Sequence, residues 1–150
     1  MHRESLECLI DARTVLVPLR DLERVVEFPL SPPPPLCEAW VAGIGVVGDE
    51  PVVCVTLSGE GRGPQALAKG LLLRAAGGDG PRYLVRVDDV RAVGVATDDG
   101  RLPGSPARWV CPEGWLAGRS ADTGALHLDP AAVASTLFGA LVAAPAEVVP

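Results

Sequence analysis

Residues 40–57 read WVAGIGVVGDEPVVCVTL, and this stretch is the most informative part of the chain. Apolar residues interrupted by single glycines predict two short strands joined by a tight turn over Gly48–Pro51, with the second strand at Val52–Leu57. Nothing in the stretch looks like a reaction centre. The pattern therefore favours a surface that binds another molecule over a pocket that performs chemistry.

The segments on either side of this hairpin also indicate β-structure. Leu6–Ile10 and Thr14–Val17 are predicted to form an opening hairpin. Many short strands separated by Gly- and Pro-rich turns are typical of small barrels rather than of a parallel sheet. Four later segments are predicted as strands: Leu71–Ala75, Tyr83–Val87, Val90–Ala96 and Ala125–Leu128.

Helical segments are predicted to be few and short. Apolar residues at helical spacing predict a short helix within Pro18–Glu27, and Gln65–Gly70 is interpreted as one loose helical turn. Near the C-terminus, Asp129 is a predicted N-cap and Pro130 occupies the first helical position, which predicts a helix through Phe138.

Composition disfavours several classes of partner. The chain has 150 residues, a net charge of −6 and scattered arginines, whereas a nucleic-acid surface needs clustered positive charge. The acidic start does not resemble a signal peptide, and the weakly apolar run Ala131–Ala144 is too short to span a bilayer. Cys8, Cys37, Cys54 and Cys111 share no C-x-x-C spacing, so a zinc knuckle or a redox dithiol has no support. Without a signal peptide, reduced thiols in a cytoplasmic protein are expected.

No set of residues predicts catalysis, a cofactor or a metal. His127 lies between two leucines in the last predicted strand, so its ring is expected on the opposite, solvent-facing side. The glycine-rich segment 59–63, with Lys69 after it, lacks the Gly-Lys-Ser/Thr of a phosphate-binding loop. Calcium ligands alternate along a loop, which the doublets Asp88–Asp89 and Asp98–Asp99 do not. By elimination, recognition is the expected activity.

Five segments, in order, resemble the CheW-like adaptor family, which couples chemoreceptors to a histidine kinase. The resemblance implies a mainly β fold of two small SH3-like five-stranded barrels, with short helices and a C-terminal helix. It also implies one domain over residues 1–150, with interleaved lobes, a core at about 6–138 and a hydrophobic groove between the lobes. The matching segments are Cys8–Val26, Trp40–Ile44, Val52–Leu57, Leu84–Val90, and Trp115–Gly118 together with Leu126–Pro130.

The resemblance further implies a non-enzymatic cytoplasmic adaptor in a bacterial chemosensory complex. Its expected partners are the cytoplasmic tip of a chemoreceptor and the regulatory domain of a CheA-type kinase, with no cofactor and no insertion into a membrane. The expected partner-binding residues are Ile44, Val46, Val47, Gly48 and Asp49. Because side chains alternate along a strand, at least one of the two valines should face outward. We expect Val47→Glu to abolish binding without lowering stability.

The central motif departs from the family pattern. Counted from Gly43, the family's arginine of its Arg-Gly pair falls on Gly48, and its glycine falls on Asp49. The proline and aspartate of the closing strand fall on Val53 and Thr56. The missing arginine removes a charge-assisted contact worth about 1.5–3 kcal/mol when desolvated, which implies a divergent adaptor.

Two alternatives remain open. A divergent CheW-like scaffold could bind only one of the two partners, or could bridge other cytoplasmic proteins. A more remote alternative is a small enzyme with Cys54 as its nucleophile, although Cys54 lies in an apolar strand with no base close to it in sequence.

Overall fold

The computed structural model describes residues 2–75, 80–97, 101–102 and 105–139, and it shows a mainly β protein. The elements in chain order are β1 (His2–Ile10), β2 (Arg13–Pro18), a 3₁₀ turn (Leu19–Asp21), β3 (Leu22–Ser31), β4 (Val41–Val47), β5 (Glu50–Val55), β6 (Gln65–Arg74), β7 (Arg82–Arg86), β8 (Asp89–Thr97), β9 (Arg101–Leu102), β10 (Leu116–Ser120), β11 (Leu126–Leu128) and α1 (Pro130–Phe138).

The strands form two units. The middle of the chain makes a closed five-stranded barrel in the order β3-β4-β5-β7-β6, while both ends contribute to a six-stranded sheet in the order β8-β1-β2-β11-β10-β9. The neighbours pair antiparallel, except that β5 with β7 and β2 with β11 are parallel. The prediction of a mainly β fold with a five-stranded barrel is confirmed. Within the described residues, the second unit is a six-stranded sheet rather than the predicted second five-stranded barrel.

The molecule has two hydrophobic cores, one inside the barrel and one between the barrel and the sheet. The barrel encloses Phe28, Leu72 and Leu84, whereas Leu71 and Tyr83 on the same strands point out of the barrel into a larger core. That larger core also contains side chains of β1, β2, β11 and α1, so it joins the barrel to the sheet. Residues 70–73 of β6 and 83–85 of β7 are therefore buried on both faces, which explains why these runs are continuously apolar rather than alternating.

The barrel interior is organised around the ring of Phe28, which is fully buried. A Cβ atom on Gly45 would lie 2.7 Å from this ring and 2.7 Å from Leu84 Cδ1. A Cβ atom on Gly70 would lie 2.9 Å from the other side of the ring. These two glycines leave the space that the ring fills, which is why they occur inside strands.

Both segments predicted as helical before the C-terminus are strands, apart from a single 3₁₀ turn. The predicted helix in Pro18–Glu27 is the 3₁₀ turn Leu19–Asp21 followed by β3, and the predicted turn at Gln65–Gly70 is the first half of β6. Strands β3 and β6 pair with each other along most of their length, for example Glu27 with Lys69. This long-range pairing outweighs the weak local helical pattern.

The C-terminal helix is confirmed, together with its cap. The Asp129 carboxylate accepts hydrogen bonds from the backbone N–H groups of Ala131 and Ala132 at 3.2 and 3.4 Å, and Pro130 is the first helical residue. Within the described part of the chain, no helix is long and apolar enough to cross a membrane.

Two side chains attach this helix to the rest of the molecule. Tyr83 Oη donates a hydrogen bond to the Pro130 carbonyl at 3.0 Å, and Trp115 Nε1 donates to Thr136 Oγ1 at 2.9 Å. Because Tyr83 belongs to β7, the first bond connects the barrel directly to the start of α1.

Candidate functional site

The predicted central hairpin is present as β4 and β5, with a shorter turn than expected. Val47 pairs with Glu50, and Val46 pairs with Pro51, so the turn consists of Gly48 and Asp49 alone. Gly48 has φ +62°, a left-handed conformation that favours glycine. Pro51, predicted to end the turn, therefore lies within β5.

The two valines at the end of β4 face opposite sides of the barrel wall. Val47 is only 7% exposed and lies in the barrel core, whereas Val46 is 38% exposed. The expectation that at least one valine faces outward is confirmed. The choice of Val47 as that residue is wrong, because the β4–β5 register turns Val47 toward Phe28 and its neighbours in the interior. Val47→Glu would place a carboxylate in the core.

The outer side of this hairpin carries four apolar residues that form two cross-strand pairs. Ile44 lies opposite Val53, and Val46 lies opposite Pro51. Val46 and Pro51 are exposed, whereas Ile44 and Val53 are half-buried. Val53 also packs against the core between barrel and sheet. We call these four residues the outer apolar patch; it extends from the hairpin end to the boundary between the two units.

The turn beside this patch is exposed and acidic. Gly48 and Asp49 are both exposed, and no atom lies within 4 Å of where a Gly48 side chain would begin. The next residue, Glu50, forms an ion pair with Arg82 of β7. Space for a long side chain thus exists at position 48, but the positive φ would strain one.

The ion pair at Glu50 belongs to a network across the barrel surface. Arg82 also contacts Glu23 at 3.3 Å, and Glu23 accepts hydrogen bonds from Arg74 at 2.9 and 3.2 Å. The hydrogen bonds from Arg74 hold the pKa of the Glu23 carboxyl below its usual value. The network joins β3, β5, β6 and β7 and fixes the base of the hairpin turn. Its contacts join residues that are 32 to 59 positions apart in sequence, which is why sequence reasoning missed them.

His127 is buried, so its predicted solvent exposure is wrong. The side chain is 4% exposed, and its Nε2 lies 2.7 Å from Ser120 Oγ of β10. The neighbouring residues of β11 are also buried, because the strand has β2 on one side, β10 on the other and a covered face on each surface. This contact satisfies a polar group of the buried ring, as is usual for buried polar side chains.

A cavity of about 210 Å³ lies at the start of α1, beside His127. Its polar lining includes Ser5, Arg20, Asp21 and Asp129, and the Asp129 carboxylate already caps the helix. None of the four cysteines and no part of Ser120 belongs to the lining. The cavity therefore does not bring a thiol to His127.

Three of the four thiols are poorly suited to nucleophilic chemistry. Cys54 lies inside the barrel, where burial raises the pKa of its thiol to about 12. Burial likewise raises the pKa of Cys8 to about 12 and that of Cys111 to about 11. Very little thiolate would be present at neutral pH, and the thiolate is the reactive form. All four cysteines are free, as the sequence predicted.

The glycine-rich loop after β5 has none of the geometry of a phosphate site. Thr56 Oγ1 accepts a hydrogen bond from the Gly59 N–H, and Ser58 Oγ accepts one from the Glu60 N–H, so these amides are used within the loop. Lys69 instead contacts Asp89 at 3.4 Å. No group of three or more potential metal ligands occurs among the residues that the structure describes, which do not include Asp98–Asp99.

Comparison with known proteins gives information about the fold and none about the site. No family model matches the chain, and no curated protein matches it. Among solved structures, the chain is similar to the scaffolding protein TtCheW from Thermoanaerobacter tengcongensis. The TM-score is 0.62 at 13% sequence identity, and the match covers 86% of this chain and 85% of that chain. This similarity assigns the chain a CheW-like fold.

Proposed function

We propose that this chain is a non-enzymatic adaptor in a bacterial chemosensory complex and that it works in the cytoplasm. It would couple the cytoplasmic tip of a chemoreceptor to the regulatory domain of a CheA-type histidine kinase. The observation that carries the proposal is the outer apolar patch, located on the central hairpin of a CheW-like fold.

The patch has the properties of a docking surface for a helix. Val46 and Pro51 expose apolar side chains, and Ile44 and Val53 extend the apolar surface toward the boundary between barrel and sheet. An amphipathic helix can place its apolar stripe along such a row. The contact would be small, in the range of about 1,000 Å² that weak and regulated complexes use.

The hairpin is rigid enough to present this surface. The patch residues belong to paired strands of a closed barrel, and the ion-pair network of Glu23, Arg74 and Arg82 fixes Glu50 at the base of the turn. Binding would therefore order few additional groups, which lowers its entropic cost.

The absence of a cysteine from the lining of the described cavity supports an adaptor over a cysteine enzyme. The Cys54 thiol lies in the barrel core, and the imidazole of His127 is buried against Ser120. Neither group lies in an open cleft with the other.

The turn at Gly48 and Asp49 favours a second candidate, a divergent scaffold that binds only one of the two partners. The family arginine is absent, and both Asp49 and Glu50 add negative charge at the hairpin end. A partner that normally binds the family arginine would face an acidic turn here, which should weaken its binding. The affinity of a partner that contacts only the outer apolar patch would be unaffected.

The direct test replaces Val46 with glutamate in the full chain. We expect Val46→Glu to weaken binding to the receptor tip and the kinase regulatory domain by at least about tenfold, because a charge must be desolvated at the contact. Binding would be measured by calorimetry with each partner separately. The melting temperature should change little, because exposed substitutions are usually within about 0.5 kcal/mol.

Leu67→Glu is the matched control, since Leu67 is a 62% exposed apolar residue of β6. It should leave both affinities unchanged. Wild-type protein that binds only one partner would support the divergent scaffold. If Val46→Glu binds as tightly as wild type, the outer apolar patch is not the docking surface.

A further inference from the structure

Strand β8 forms one end of the six-stranded sheet. It pairs with β1 on one side, and no strand within the described residues pairs with its other side. A nine-residue strand at an edge presents a row of backbone N–H and C=O groups that can pair with another strand. Natural proteins usually protect such edges with charges, prolines or a covering element.

The exposed edge of β8 is apolar and carries little of this protection. Val93 and Val95 are 58% and 65% exposed, and every residue from 91 to 95 is exposed. Between Ala92 and Thr97 there is no charged residue and no proline. An exposed edge strand of this composition is a favourable template for pairing with another strand.

The sequence of β8 identifies the partner that fits best. Residues Ala92 to Ala96 read Ala-Val-Gly-Val-Ala, which is identical in both directions about Gly94. Two antiparallel copies related by a two-fold axis at Gly94 would pair valine with valine and alanine with alanine. We propose that β8 pairs with β8 of a second copy of this chain and joins the two six-stranded sheets into one.

The side-chain faces support this register. In the β1–β8 ladder, Val93 lies opposite Leu6, which is buried in the core, and Val95 lies opposite Glu4. The two valines therefore lie on the same face of the sheet as the core residue Leu6, but at a position where no other element of the described residues covers that face. In the proposed dimer, Val93 of each copy would contact Val95 of the other copy. The four valines would then shield one another from water.

Charge does not oppose this local pairing. In the proposed register Arg91 would lie opposite Thr97 of the second copy. The two Glu4 residues would be separated by three strand spacings, about 14 Å, which is beyond the screening length of about 10 Å at 0.1 M salt. The net charge of −6 on each chain adds long-range repulsion, so salt should strengthen the dimer. A basic peptide bound at the same edge would show the opposite salt dependence.

Disulfide trapping tests the register. Gly94→Cys should crosslink rapidly under mild oxidation, because directly opposed residues have Cα atoms about 4.5–5.5 Å apart, within disulfide range. No atom lies within 4 Å of a Cβ atom at position 94, so the variant should fold. Ala92→Cys is the control: its two copies would be about 13 Å apart, too far for a bond. Equal crosslinking of the two variants, or none in either, would overturn the proposal.

Sedimentation velocity of the unmodified chain tests the pairing itself. We expect a monomer–dimer equilibrium that shifts toward dimer with protein concentration and with salt. Val95→Lys should raise the dissociation constant at least about tenfold, since lysines would replace valine contacts at an edge, while Leu67→Lys should leave it unchanged. A monomer at all concentrations, a dimer unaffected by Val95→Lys, or open-ended assemblies would each contradict the proposed pair.

Discussion

The barrel and the six-stranded sheet share one hydrophobic core but differ in how they end. The barrel closes on itself, so each of its five strands has a neighbour on both sides. The sheet ends in β8 and β9, and β8 leaves a long edge unpaired within the described residues. A closed barrel can offer a partner only its side chains, whereas an open sheet can also offer its backbone.

Because of this difference, the two proposed contacts should form in different ways, one through side chains and the other through the backbone. The outer apolar patch on β4 and β5 would bind through Val46 and its neighbours, so a single side-chain substitution should remove the contact. The β8 edge would bind through backbone hydrogen bonds and a symmetric register, so the geometry of the pair matters as much as its side chains. The two surfaces lie on different units and can be disabled independently.

The largest effect that the comparison predicts comes from the barrel interior. Phe28→Ala should lower the free energy of unfolding by about 3–5 kcal/mol, because the fully buried ring fills the barrel. In dilute, low-salt solution, where the chain is expected to be monomeric, Val95→Ala at the open edge should change it by less than about 0.5 kcal/mol. Urea denaturation monitored by tryptophan fluorescence gives both values. Similar losses for the two variants would mean that the barrel does not depend on its central ring.

A smaller effect is expected from filling the space beside that ring. Gly45→Ala should cost about 1–3 kcal/mol, because its Cβ atom would lie 2.7 Å from Phe28 and Leu84. In a Phe28→Leu background the cost should be at least about 0.5 kcal/mol lower, which a double-mutant cycle would measure. Purely additive costs would show that Gly45 is required for another reason.

The connection between the barrel and α1 is predicted to depend on the only tyrosine in the chain. Tyr83→Phe removes the hydrogen bond to the Pro130 carbonyl and should cost about 0.5–1.5 kcal/mol near neutral pH. The control is Tyr83→Leu, which also removes the ring and should cost more.

Because Tyr83 is buried, its hydroxyl is also predicted to lose its proton at a higher pH than an exposed tyrosine. Burial raises the pKa of the hydroxyl well above its usual value. The protonated Tyr83 hydroxyl therefore makes its full contribution to the free energy of unfolding below the unfolded-state pKa of about 10. That contribution is lost as pH rises toward the folded-state pKa. Tyrosinate absorbance in the native protein should appear only above the normal range, and a normal titration would contradict the burial.

The smallest effect is expected from the surface network at the base of the hairpin. Because the folded-state pKa of Glu23 is lowered, chiefly by its hydrogen bonds from Arg74, its stabilising contribution is present above the unfolded-state pKa and is lost as pH falls through the folded-state pKa. Glu23→Gln should flatten the pH dependence of stability in this acidic range and cost less than about 1 kcal/mol at pH 7.

Arg74→Gln is the matched variant for this network, since it removes the main donor to Glu23. It should reproduce the flattened acid profile in thermal melts between pH 3 and pH 7. An unchanged profile in both variants would remove Glu23 as the source of the dependence.

Part of the site could be predicted because its signals are local. The β4–β5 hairpin follows from glycine-interrupted apolar residues, and α1 follows from the adjacent Asp129 cap and Pro130. Alternation also required that Val46 or Val47 face outward. It could not decide which one, since the inward side depends on how β4 is placed in the barrel.

The sequence by itself determined the mainly β character, the central hairpin, the capped C-terminal helix and the reduced state expected of the cysteines. Tertiary structure decided that β3 and β6 are strands, that Val47 is inside the barrel and that His127 is buried against Ser120. It also brought Glu23, Arg74 and Arg82 together under the hairpin and left β8 at an edge. The physical reason is range: turns and caps depend on residues a few positions apart, whereas strand pairing, burial and sheet edges depend on contacts between distant segments.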